Sequence, residues 1–89
     1  MKVIDEGHKY ELIGGQTLQF MKPAEGIAGT TNEEVFEILI NRLEYLQTKF
    51  PCIENEMAIL SAQIGLEALN ERTAKRVAQG IKGQDIAHV

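Results

Sequence analysis

The sequence predicts an α+β chain, in which a small N-terminal antiparallel β-sheet or hairpin packs on a C-terminal antiparallel helical hairpin. Three observations carry that expectation. Two short alternating runs flank a double glycine near the N-terminus. Two long stretches with apolar residues at helical spacing fill residues 31–79. A Phe50-Pro51 break divides those two stretches.

The first alternating run is His8-Lys9-Tyr10-Glu11-Leu12-Ile13, with Tyr10 and Leu12 on one side. Gly14-Gly15 follows, and then Leu18 and Phe20 alternate with Thr17, Gln19 and Met21. Alternation around a glycine pair reads as a β-hairpin, because glycine supplies the positive φ of a tight turn. A lone hairpin is barely stable in water. It therefore packs on the helices, takes residues 1–5 as a third strand, or pairs with another chain. Strands are placed within 1–22, and residues 23–30, with Pro23, Gly26 and Gly29, form a connector.

The first helix opens at Thr31-Asn32-Glu33-Glu34, a Thr-x-x-Glu capping box. Val35, Ile38, Leu39, Leu43 and Leu46 then make a main apolar stripe, with Phe36 and Ile40 as a second one beside it. Pro51 cannot continue a helix interior, so this helix ends near Lys49. The second helix starts just after, with Glu54 and Glu56 matched to its dipole. It too carries two stripes, Ile53-Met57-Leu60-Ile64 and Ala58-Ala62-Leu66-Leu69. The short connection argues an antiparallel pair. Gly80 is a helix stop, and residues 80–89 form a tail.

A chain of 89 residues makes a single small domain whose core is marginal, and it has one cysteine and so no internal disulfide. Helices that are apolar over most of their circumference need further neighbours. A homo-oligomer supplies them; the alternative is a monomer with a few exposed apolar side chains. No apolar run is long enough for a membrane span, and Met1-Lys2-Val3-Ile4-Asp5 lacks a signal-peptide core. With Cys52 unpaired, the expected location is the cytoplasm. The net charge of −4 argues against DNA or RNA as a partner, because such proteins neutralise many phosphates. It leaves room for a small anion held by a few local cations.

Catalytic chemistry finds little support. His8, His88 and Cys52 lack metal-ligand spacing, and no glycine-rich phosphate loop precedes a helix. No cofactor and no metal are expected. The binding candidates are Arg72 and Arg76, four residues apart and so on one helix face, which they share with Leu69, Gly65, Ala62 and Ala58. Two guanidiniums in such a place suit phosphate through paired donors. The competing reading is an ion pair with Glu71, Glu67 or a partner's carboxylate. Gly65 costs roughly 1 kcal/mol in a helix, and a close approach would account for it. Tyr45 lies beside the main stripe, where its ring can stack on a base, and Asn55 can reach a base edge or ribose hydroxyl. Each of these two also fits plain surface or interface material.

Five segments in order carry a resemblance. They are Gly7-His8-Lys9-Tyr10, Gln16-Thr17-Leu18-Gln19-Phe20, Gly29-Thr30-Thr31-Asn32-Glu33-Glu34-Val35, Lys49-Phe50-Pro51-Cys52 and Leu69-Asn70-Glu71-Arg72-Thr73. Together they resemble the phage Thoeris anti-defence sponges, which share a helical-hairpin domain with anti-CBASS sponges. The resemblance implies a β-sheet packed on a helical hairpin, and dimers that assemble into hexamers. It also implies non-catalytic capture of immune signalling nucleotides: cyclic ADP-ribose isomers, with cyclic di- or trinucleotides at a second site. It places Tyr45, Asn55, Arg72 and Arg76 where similar proteins hold base-stacking and phosphate-gripping groups. The chain departs from the pattern at Gly14-Gly15, where the loop is short, and in the tail beyond Gly80-Ile81-Lys82-Gly83. A phage module that binds a host protein through its helix faces is the other functional reading.

Overall fold

The computed structural model describes residues 1–80. Strands β1 (Lys2–Asp5), β2 (Lys9–Glu11) and β3 (Thr17–Gln19) come first, then a 3-10 turn at Pro23–Glu25, then helices α1 (Asn32–Lys49) and α2 (Ile53–Ala78). The sheet is antiparallel throughout, in the order β1-β2-β3. Residues 1–5 thus become the third strand that the hairpin needs. Tyr10 pairs with Leu18, and the Tyr10 ring meets Phe20 edge-on, with centroids 6.0 Å apart. The β2–β3 turn is closed by the Leu12 amide on the Gln16 carbonyl at 2.7 Å, and Gly15 takes φ 87°.

The connector is built into the sheet. Phe20 and Thr30 form a parallel bridge, through Met21 N–H to Thr30 C=O at 3.0 Å and Thr30 N–H to Gln19 C=O at 2.9 Å. Gly29 passes so close to the backbone of Gln19, Phe20 and Met21 that a Cβ there would lie 2.4 Å from the Gln19 carbonyl oxygen. Lys22 anchors the loop. Its ammonium lies 2.8 Å from Asp5 Oδ2 on β1 and 3.5 Å from Glu25 Oε2. The Asp5 carboxyl is held below its ordinary value, first by the hydrogen bond from Lys22.

Helix α1 starts on Thr31, whose hydroxyl accepts the Glu34 amide at 3.1 Å. The reciprocal half of the capping box differs from expectation. The Glu34 carboxylate accepts from the Thr30 hydroxyl, one residue earlier than the amide a capping box would use. Phe50 leaves the helical region at φ −136°, as a residue before proline must, and its amide still closes on Leu46 at 2.7 Å. Gln47 then accepts the Cys52 amide at 3.0 Å, and Asn55 donates to the Phe50 carbonyl at 3.4 Å. These two bonds brace the loop between the helices.

The faces of the hairpin correct the assignment of the stripes. On α2 the small-residue stripe Ala58-Ala62-Gly65-Leu66-Leu69 faces α1, and Ile53, Met57, Leu60 and Ile64 are each more than half exposed. On α1, Phe36 and Ile40 were the stripe offered to neighbouring chains, but both are half-buried, and Phe36 sits against Gly65. Of the expected main stripe, Val35, Leu43 and Leu46 are half-buried like Phe36 and Ile40, while Ile38 and Leu39 are exposed. The cause is Gly65. A Cβ there would lie 2.8 Å from Phe36 Cζ, so the missing side chain makes the space for the ring and sets the rotation of α1. Thr73 Oγ1 donates to Glu33 Oε2 at 2.8 Å and ties the far end of α2 to the start of α1.

Among the described residues, only Ala62, 5% exposed, is buried.

Candidate functional site

The four candidate residues fall into two groups at opposite ends of α2. Tyr45 and Asn55 lie at the loop end of the hairpin. Tyr45 is 54% exposed, in the last turns of α1, where Lys49 Nζ sits 5.4 Å from its ring centroid. Asn55, half-buried in the first turn of α2, has its amide nitrogen on the Phe50 carbonyl, and that leaves the amide oxygen to accept from another group. Phe50 between them is 71% exposed.

Arg72 and Arg76 lie toward the other end of α2. At about 1.5 Å of rise per residue, Arg72 is about 25 Å and Arg76 about 32 Å along the axis from Asn55. Arg72 is exposed and Arg76 half-buried, one turn apart. Between them Thr73 makes its bond to Glu33, which fixes how this turn is rotated against α1. Glu71, one of the carboxylates proposed to neutralise the arginines, pairs with Lys75 at 3.4 Å. A single chain therefore does not gather the four residues around one small molecule.

Two cations escaped the sequence reading, although their spacing was visible in it. Arg42 precedes Tyr45 by three residues and Lys49 follows it by four, so the three share one exposed face of α1. They are the two cations of α1, whose other charges, Glu33, Glu34, Glu37 and Glu44, are negative. An open apolar groove of about 280 Å³ lies elsewhere, where Phe20 meets Val35, Phe36, Leu39 and Leu69. It joins sheet to hairpin and holds none of the four candidates. Lys22, just before the connector, is committed to Asp5 and Glu25. Among the described residues, no cluster of His, Cys, Asp and Glu could hold a metal, and no helix is long and apolar enough to cross a membrane. The tail residues 81–89 lie outside the described residues.

No family model matches the chain. Over 59 residues, 65% of its length, it is 42% identical to Thoeris anti-defense 1 of Bacillus phage SBSphiJ7. The matched stretch is 42% of that relative's length, so the chain spans well under half of it. With two in five residues shared across most of its own length, the chain is similar to this phage anti-Thoeris protein.

Proposed function

We propose that this chain counters Thoeris-type immunity by binding a signalling cyclic nucleotide, a cyclic ADP-ribose isomer, and holding it without cleavage. The observation that carries the reading is the 42% identity to a phage Thoeris anti-defense protein. The residues suit the task. An exposed aromatic, an amide and two arginines are groups that stack, hydrogen-bond and neutralise phosphate. Sequestration works by mass action in the host bacterial cytoplasm: sites must outnumber signal molecules, and dissociation must be slow.

The working form is a homo-oligomer, a hexamer built from dimers. Its support is the row of exposed apolar residues Ile53, Met57, Leu60 and Ile64 on a chain with one buried residue among those described. The spread of the candidates favours the same form. Tyr45 and Asn55 of one protomer meet a ligand together with Arg72 and Arg76 of another only if two copies lie side by side. Cyclic di- or trinucleotides are candidates for a second site.

The test measures ligand affinity and oligomer mass on the same Arg72→Ala and Arg76→Ala samples. Each truncation removes charge-assisted bonds and is expected to cost roughly 2–4 kcal/mol, about 30- to 1,000-fold in affinity. Arg76→Lys keeps the charge, loses the planar fork and still weakens binding. Tyr45→Ala is expected to cost roughly 1–3 kcal/mol and Tyr45→Phe little. Intact oligomers with normal affinity would remove the arginines from the site. A smaller mass with weakened binding would make them interface residues.

A further inference from the structure

We infer that Arg42 and Lys49 join the grip on the phosphates of a nucleotide whose base stacks on Tyr45. The inference rests on the proposed nucleotide binding and adds two contacts to it. A base on Tyr45 needs its phosphates neutralised within the length of the ligand, on the order of 10 Å for a nucleoside diphosphate. Arg72 and Arg76 of the same chain lie too far along α2 to serve. Arg42 and Lys49 are one helical turn away from Tyr45 on either side, on its own face.

Three observations support the assignment. Lys49 is already drawn to the Tyr45 ring, 5.4 Å from its centroid, so its charge is delivered to the place where a base would sit. Arg42 is exposed and makes no ion pair among the described residues, although α1 is rich in glutamate. Phe50, beside Lys49, adds a second exposed aromatic to the same end. In an acidic protein, two cations bracketing an exposed aromatic form a local exception to the negative field. When a phosphate arrives, Lys49 exchanges the ring for the anion and leaves that ring face to the base. Arg42 supplies a planar pair of donors to the second phosphate.

The experiment is calorimetry of the full chain with cyclic ADP-ribose, on wild type, Arg42→Gln, Lys49→Gln and the double variant. Circular dichroism and mass serve as controls for fold and assembly. These side chains are on the surface, so the variants are expected to fold. Each single change is expected to weaken binding about 10-fold and the double change more than 50-fold, while Arg42→Lys falls between wild type and Arg42→Gln. Wild-type affinity in both single variants, from a wild type that binds, overturns this inference and leaves the proposed function standing. A wild type that binds no cyclic nucleotide overturns the proposed function and the inference with it. Preference for an oligodeoxythymidylate over the cyclic nucleotide would assign the face to single-stranded nucleic acid, and so overturn the ligand class.

Discussion

Two residue-scale contacts decide much of this chain, and both can be removed singly. The first is Phe36 on Gly65. Alanine at 65 gains up to about 1 kcal/mol of helix propensity, but its Cβ would come within 2.8 Å of the Phe36 ring. Overpacking of that kind costs about 1–3 kcal/mol, so Gly65→Ala is expected to destabilise on balance. Adding Phe36→Leu makes room and recovers part of the loss, and chemical denaturation of the single and double variants reads the coupling. The second contact is Lys22 on Asp5. The hydrogen bond between them lowers the Asp5 carboxyl from 3.8 and raises the Lys22 ammonium from 10.5. Asp5 is depressed, so its contribution is present above the unfolded carboxyl value and lost as pH falls through the folded one. Lys22 is raised, so its contribution is present below the unfolded value and lost as pH rises through the folded one. The latch on the connector therefore holds across neutral pH and opens at both extremes. Carboxyl-resolved NMR titration should find Asp5 below 3.8, returning toward it in Lys22→Gln; an Asp5 midpoint at or above 3.8 in wild type would contradict the latch.

At the scale of elements, local rules served well where the deciding atoms are neighbours in sequence. The Thr31 cap, the Pro51 break, the Gly14-Gly15 turn and the stop at Gly80 each depend on a few adjacent residues, and each was legible. Helix rotation was not. Periodicity counts apolar residues around a helix, but the packed face of α1 takes Val35, Leu43 and Leu46 from one stripe and Phe36 and Ile40 from the other, with Phe36 seated on Gly65 of α2. The candidate site was legible as residue types and spacings. Its division into two ends of α2 follows from helix length, a property that no single motif carries. Thr31→Ala isolates an element-scale term. Losing the hydroxyl that accepts the Glu34 amide is expected to cost about 1 kcal/mol, seen as a lower denaturation midpoint with an unchanged slope.

At the scale of the whole molecule, the hairpin exposes Ile53, Met57, Leu60 and Ile64 in one row. An antiparallel pairing of two α2 helices sets Ile53 opposite Ile64 and Met57 opposite Leu60, so the row is complementary to itself. Leu60→Asp puts a charge at its centre and is expected to lower the solution mass and to remove the concentration dependence of thermal unfolding that the wild-type oligomer shows. An assembly that ignores Leu60→Asp would assign the seam to another face, with Ile38 and Leu39 of α1 the next exposed pair. The central claim is capture of a cyclic nucleotide without chemistry. The measurement that reaches it most directly is calorimetry of the wild-type chain with cyclic ADP-ribose isomers, followed by heat denaturation and chromatography of what is released. Saturable, tight binding with the ligand recovered intact is the predicted result. Released ligand that has been opened or hydrolysed, or no binding to any isomer, would contradict it.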